Sequence, residues 1–324
     1  MNPFESLSEI SKFEILEDTL LKRASKRAMS ISYKGGKTVT ARYREEIRIT
    51  TLSVGLKRHL TKVIKIGKAY QTADPFYKEM SELFVSEETI INSVNKVNKS
   101  IILIEKLEKR YIIDLRSSGW KRASIIRKQA YGRLLNEVKK RKKDIKNLVL
   151  LRSRIRRIHA IDPVKPTVVI VGCPNSGKSS LVNIISSAEK IEVANYPFTT
   201  KEVSVGHISR GKQFTPEYIN IQIIDTPGLL DRPLYERNLI ERKAILALRH
   251  LAQVIVFLFD PTRLQYYTIN QQLDLYNNIK TTFSNLNIIL VVNKIDILSD
   301  SELPELNNVK QDLQISTKTK ENVN

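Results

Sequence analysis

TVVIVGCPNSGKSS, residues 167–180, decides what kind of protein this is. Five apolar or β-branched residues end on a glycine. Gly172-Cys173-Pro174-Asn175-Ser176-Gly177-Lys178-Ser179 then fits the phosphate-loop pattern G-x-x-x-x-G-K-[ST], with Ser180 following. The glycines let the backbone bend until its N–H groups converge on phosphate at the start of the next helix. The spacing therefore predicts that Gly172 to Ser180 cradle a nucleotide. Lys178 reaches its β- and γ-phosphates, and the Ser179 hydroxyl ligates Mg²⁺.

Downstream of that loop the same grammar repeats. INIQIID (219–225), VIVFLFD (254–260) and NIILVVN (287–293) are short continuous apolar runs. Helical patterns at 236–251 and near 268–283 fall between the later ones. Strands that are apolar on both faces and alternate with helices predict a mostly parallel α/β sheet, covered on both sides. Asp225-Thr-Pro-Gly228 closes the second strand. Its aspartate is placed to hold the Mg²⁺, and the Gly228 N–H to sense the γ-phosphate. YPFTTK (196–201) supplies hydroxyls, Thr200 among them, for a loop closing over Mg²⁺ and phosphate. Asn293-Lys294-Ile295-Asp296 ends the last strand. A carboxylate at Asp296 accepts from both N1–H and the exocyclic amine of guanine, a donor pair that adenine lacks. ISTK (315–318) follows, so that Ser316, Thr317 and Lys318 offer a backbone N–H to the guanine O6. Residues 161–324 thus read as a GTP-binding domain using GTP and GDP, with Lys178, Thr200 and Gly228 in the catalytic set and Ser179, Thr200 and Asp225 as metal ligands.

The other half is of a different kind. At 324 residues the chain is long enough for two domains, and its 41% hydrophobic content is ample for two cores. Lys and Arg number 54 against 34 Asp and Glu, and the whole excess lies early. Residues 1–160 hold 37 basic and 17 acidic residues, net +20, whereas 161–324 hold 17 of each. Ile90, Val94, Val97, Ile101, Ile104, Leu107 and Tyr111 recur at helical spacing, with Ser86 as their cap. Ile49, Leu52, Leu56, Leu60 and Val63 make a second stripe. Asp74-Pro75 separates the two, 31–40 reads as a basic loop, and a third helical stretch spans about 118–157. Between Lys121 and Arg157 there are 15 Lys and Arg against Glu137 and Asp144. Such a surface binds a polyanion through its phosphates, with strong salt dependence. Trp120 and Tyr131 are candidates to stack on unpaired bases, packing being the plainer reading of each.

The single cysteine excludes an intramolecular disulfide scaffold. No apolar run nears the ~18 residues of a membrane span. The N-terminus lacks a signal-peptide pattern, so the chain reads as cytoplasmic, and four scattered histidines show no metal-ligand spacing.

Together the phosphate loop, YPFTTK, DTPGLLDRPLYERN and NKID resemble the Obg-related, translation-factor class of GTPases. Within it the chain resembles the nucleolar GTP-binding protein family, since DPFYKEMSEL (74–83), GWKRAS (119–124) and IHAIDP (158–163) resemble that family's N-terminal helical region. The resemblance implies a Ras-like P-loop GTPase domain (161–324) preceded by an all-α basic helical bundle (1–160). It also implies a GTPase whose partners are ribosomal RNA and the precursor of the large ribosomal subunit, with no membrane, monomeric off the particle. Eukaryotic members carry a long C-terminal extension that this sequence lacks, so a short archaeal-type member, or a fragment, is expected; the six residues after Lys318 are also too few for the helix that usually closes such a domain. Leu229 stands where many small GTPases have a water-orienting glutamine, so hydrolysis is expected to be slow. The resemblance further implies that Asn175 helps hold K⁺; the alternative is that it only shapes the loop. Two rival functions are a GTPase with a basic arm for an anionic membrane, and a non-hydrolysing nucleotide sensor that binds RNA.

Overall fold

A computed structural model describes the chain except for residues 1, 32–35, 159, 187–190, 195, 197–202, 212–214, 216–217, 229, 263–266, 299–310 and 324. Two compact units result: Pro3–Thr72 with Phe84–Ser153, and Met1–Asn2 with Ala73–Leu83 and Arg154–Asn324.

The first unit is helical. Its elements are α1 (Phe13–Met29), α2 (Gly36–Gln71), then α4 (Glu87–Ser117), α5 (Trp120–Lys139) and α6 (Lys142–Ile155), with α3 (Pro75–Glu82) set apart in the second unit. α2 turns Ile49, Leu52, Leu56, Leu60, Val63 and Ile66 wholly inward. Burying each such side chain is worth about 1.5–3 kcal/mol. α4 begins at Ser86, whose hydroxyl accepts from the Thr89 N–H at 3.4 Å, and buries Ile90, Val97 and Ile104 on the expected face. Glu108 of α4 ties to α2, accepting from Ser53 Oγ at 2.6 Å and Lys57 Nζ at 2.9 Å.

Two local expectations are corrected. Residues 36–40 belong to α2 rather than to a loop, while 32–35 lie outside the described residues. The stretch 118–157 is two helices, not one, broken at Lys140–Arg141. Between Val138 and Ile145 there is no apolar side chain, only KKRKKD, so nothing holds a continuous helix to the core there.

The second unit is a seven-stranded sheet of β1 (Thr167–Val171), β2 (Glu192–Ala194), β3 (Val203–Arg210), β4 (Ile219–Asp225), β5 (Val254–Phe259), β6 (Asn287–Val292) and β7 (Leu313–Gln314). The spatial order is β2-β3-β4-β1-β5-β6-β7. β4, β1, β5, β6 and β7 pair in parallel, and β3 runs antiparallel to both neighbours. The helices are α7 (Lys178–Ile185), α8 (Leu239–Leu246) and α9 (Ile269–Thr282). Ile170, Leu181, Val182, Ile223, Leu258, Val291 and Ile315 form one core cluster, so β1 and the helix after it are packed as a unit. The four apolar runs are the four central strands, as expected of an α/β sheet. The β2–β3 edge was not expected: it alternates apolar and polar positions as a half-buried antiparallel ribbon does.

α3, although within the first half of the chain, packs in the second unit. It opens on Asp74, whose carboxylate accepts from the Phe76 N–H at 2.9 Å, with Pro75 at the first helical position. It buries Phe76, Tyr77 and Met80 within the second unit. The Tyr77 hydroxyl donates to the Ile161 carbonyl at 2.6 Å, and Arg249 Nη2 donates to Glu79 at 3.2 Å.

Helix crossings in the first unit separate two otherwise similar glycines. A Cβ added to Gly67 would overlap Val94 Cγ2, whereas one on Gly132 meets nothing within 4 Å. Gly132→Ala is expected to raise stability by about 0.5–1 kcal/mol through helix propensity. Gly67→Ala should lower it by about 1–3 kcal/mol, since overpacking against a stiff valine outweighs the same propensity gain. Urea unfolding of the two variants checks the opposite signs.

Candidate functional site

The phosphate loop is strained into shape where the sequence places its glycines. Gly172 has φ +142° and Gly177 φ +98°, both in the region that side chains rarely adopt. Space enforces the choice as well. A Cβ on Gly172 would strike the Leu258 carbonyl oxygen, and one on Gly177 the Asn293 amide. Asn175 takes φ 65°, a backbone setting asparagine tolerates better than most residues. α7 starts at Gly177 with no side-chain cap, so its first N–H groups face the loop as an anion cradle. Lys178 is buried, its ammonium donating to the carbonyls of Gly172 at 2.9 Å and Cys173 at 2.6 Å. The loop opens on a cavity of about 390 Å³ whose walls include Asn175, Lys178, Ser179, Gly228 and Asp231. Cys173 is no nucleophile: burial pushes its thiol up to about 11.

The candidate metal ligands come together in part. Ser179 Oγ donates to Asp225 Oδ2 at 2.5 Å, which joins the start of α7 to the end of β4. Asp225 is fully buried, and its other oxygen, Oδ1, has no hydrogen-bond partner among the described residues. Burial pushes this carboxyl above its ordinary value, with the Ser179 hydroxyl, Lys178 and the Thr226 N–H pulling the other way. A buried carboxylate with an unpartnered oxygen beside a hydroxyl suits a hard cation, which supplies the charge that burial removes. Thr200 lies outside the described residues, and so does Leu229.

The base-reading segment is anchored to the phosphate loop. Asn293 donates its amide to the Ser176 carbonyl at 2.8 Å and to Thr317 Oγ1 at 3.1 Å, and accepts from the Thr317 N–H at 3.0 Å. Asp296 accepts from Ser316 Oγ at 2.6 Å. That hydroxyl accepts in turn from the Lys318 and Thr319 N–H groups, at 3.2 and 3.0 Å. With Ser316 N–H donating to Glu321 O at 3.1 Å, every N–H from 316 to 319 has an internal partner. Asp296 and the 316–319 backbone are thus tied to one another within this segment.

Three contributors escaped the sequence reading. Asp260, buried at the end of β5, pairs with Lys294 and accepts from the Thr262 N–H at 3.0 Å and hydroxyl at 2.7 Å. Arg237, also buried, donates to the Gly228 carbonyl at 2.9 Å and to Asp231 at 2.6 Å. The available signal for Asp260 was a charge ending an apolar run. Asp231 and Arg237 sat inside a motif quoted whole, with nothing to single them out.

In the helical unit the basic stretch is partly self-neutralised. Lys139 lies 3.5 Å from Glu17, Lys140 3.1 Å from Glu137, Arg141 3.6 Å from Asp144 and Lys142 3.5 Å from Glu14. Arg122, Lys128, Arg133, Lys143 and Lys146 are exposed and, among the described residues, make no ion pair. Tyr131 is a packing residue, half-buried beneath Arg127 at 5.2 Å. Trp120 is 53% exposed, with the Lys121 ammonium 6.0 Å from its ring. No described helix is long and apolar enough to cross a membrane.

Comparison with known proteins agrees with both halves. Residues 4–162 match the family model for the N-terminal helical domain of nucleolar GTP-binding protein 1, and residues 239–296 match the model for nucleolar GTP-binding protein 1 itself. Nucleolar GTP-binding protein 1 of Drosophila melanogaster is 32% identical over 291 residues, 89% of this chain and 43% of that protein. An uncharacterized protein of Methanocaldococcus jannaschii is 32% identical over 308 residues, 93% of this chain and 83% of its own length. A solved Plasmodium falciparum protein assigned to nucleolar GTP-binding protein 1 is 38% identical, covering 50% of this chain and 82% of that one, with a TM-score of 0.40. The chain spans less than half the length of the Drosophila relative, and most of the length of the Methanocaldococcus one. Matched along both its helical and its nucleotide-type segments, the chain belongs to the nucleolar GTP-binding protein 1 family.

Proposed function

We propose that the protein binds GTP and GDP, hydrolyses GTP slowly, and uses its basic helices to hold ribosomal RNA in a precursor of the large ribosomal subunit, as a cytoplasmic protein that is monomeric off the particle. The observation that carries the nucleotide part is the Asn293 amide. It locks the loop bearing Asp296 to the loop bearing Lys178, so a base acceptor and a phosphate cradle stand at a fixed separation. In this reading Asp296 accepts from guanine, and the backbone from Gly172 to Ser180 wraps the phosphates. Lys178 turns from the loop carbonyls to the β- and γ-phosphates. Ser179 and Asp225 would hold Mg²⁺, joined by Thr200, and the ion would neutralise charge on the transferred phosphoryl group. Gly228 would offer its N–H to the γ-phosphate.

Guanine selectivity follows from one carboxylate. GTP and GDP should bind far more tightly than ATP. Asp296→Asn should weaken GTP about tenfold to a hundredfold by leaving guanine donors unpaired, while improving xanthosine triphosphate. Fluorescent-nucleotide titration measures all three, and equal binding of ATP and GTP by the intact protein sinks the assignment.

The Asn175 side chain is exposed at the cavity, on a backbone held at φ 65°, and in this reading its amide oxygen would hold K⁺. A cation there would supply positive charge beside the phosphates, the part an arginine finger plays elsewhere. Hydrolysis should be faster in K⁺ than in Na⁺ at equal ionic strength, and Asn175→Ala should erase the difference. Identical rates in both salts, unaltered by the substitution, would leave Asn175 a loop-shaping residue.

RNA affinity should fall linearly with the logarithm of salt concentration. Of the basic residues, those without acidic partners should matter most. Converting Arg122, Lys128, Arg133, Lys143 and Lys146 to Glu should weaken ribosomal RNA binding, each lost phosphate contact flattening the salt slope by about 0.7–0.9. GTP affinity should be unchanged. Filter binding of ribosomal RNA across a salt series tests this, and an unaltered slope refutes it.

A further inference from the structure

A phosphate cavity is an unfavourable place for an acid. Yet Asp231 stands in the wall of this one, the single carboxylate among the described residues that line it. Negative charge there opposes nucleotide binding, so its presence calls for a role other than affinity.

The surroundings hold this carboxylate in one orientation. Arg237 Nη2 donates to Asp231 Oδ1 at 2.6 Å while Nη1 donates to the Gly228 carbonyl at 2.9 Å. The Arg237 side chain is 4% exposed and that of Asp231 17%, so the pair is largely dry. A guanidinium fork of this kind fixes direction as well as charge. One buried arginine thus sets both the turn at Gly228 and the carboxylate three residues later. Oδ1 is engaged by Arg237, and among the described residues no hydrogen bond or ion pair engages Oδ2. The position that orients water in many small GTPases is Leu229 in this chain, which has no polar atom to offer.

We propose that Asp231 is the catalytic residue that orients the attacking water, and that Arg237 is the positioning residue that aims it. This rests on the reading of the site as a GTPase. In the step, the water oxygen bonds to the γ-phosphorus as the bond from that phosphorus to the β–γ bridging oxygen breaks. The electron pair leaves on the β-phosphate of GDP. Asp231 accepts a hydrogen bond from the water, and the water's proton ends on the phosphate released, so the carboxylate is unchanged at the end.

The test uses the full chain in KCl, with single-turnover hydrolysis and nucleotide affinity measured separately. Asp231→Asn keeps the shape but presents a donor as well as an acceptor. It should slow hydrolysis by about tenfold or more while GTP and GDP dissociation constants move less than about threefold. Arg237→Gln should slow hydrolysis in the otherwise intact chain but add less than about twofold to Asp231→Asn, since a residue that acts through another is silent once that other is gone. Hydrolysis by Asp231→Asn at the parental rate overturns the proposal. So does a loss of nucleotide affinity as large as the loss of rate, which would make Asp231 a structural residue. Additive effects of the two substitutions overturn the role of Arg237. An intact chain that shows no turnover overturns the GTPase reading and this inference together.

Discussion

The Asn293 side chain bonds on two sides, to the Ser176 carbonyl of the phosphate loop and to Thr317 of the segment after β7. These three pieces leave the ends of β1, β6 and β7, and β1 lies more than a hundred residues before the other two in the chain. Only the parallel order of β1, β5, β6 and β7 brings those ends to one edge. Gly177 is part of the same constraint, because any Cβ there would occupy the position of the Asn293 amide. Loss of this amide would leave a buried carbonyl unpaired and two loops uncoupled, a cost of about 1–3 kcal/mol per orphaned group.

Charge is handled differently in the two units. Around the nucleotide-type site most ionised groups are at least partly buried and have a partner. Lys178 is held by carbonyls, Lys294 by Asp260, and Arg237 by Asp231 and the Gly228 carbonyl. The conspicuous exception is Asp225 Oδ1, which is why that corner suits a cation. On the helices the charges are mostly at the surface, where screened pairs such as Lys142 with Glu14 contribute little to stability. There the cations without an acidic partner keep their charge open to the solvent rather than paired with a neighbour.

α3 shows how a chain segment can change allegiance. Asp74-Pro75 starts a new helix, and its eight residues bury Phe76, Tyr77 and Met80 in the sheet-bearing unit. Tyr196, the first residue of YPFTTK, packs 6.5 Å from the Phe76 ring and donates its hydroxyl to the Ala244 carbonyl of α8 at 2.7 Å. The segment after β1's helix and the helix after the Gly228 turn therefore share one apolar patch with a piece of chain from far upstream.

What the sequence determined by itself was everything governed by local chemistry. The phosphate-loop glycines, the four apolar strands, the stripes of α2 and α4 and the Ser86 cap are written in residue type and spacing, because backbone strain, strand burial and helix periodicity each act over a few residues. The break at Lys140–Arg141 was legible in principle, as a gap in the apolar stripe. Tertiary structure alone decided the rest. That Asp260 meets Lys294, that Arg237 reaches both Gly228 and Asp231, that Asp225 keeps a bare oxygen and that α3 packs beside α8 depend on which strand ends and helices become neighbours. Such pairings are set by sheet order and burial between segments distant in the chain, and no residue carries a local mark of the partner it will meet.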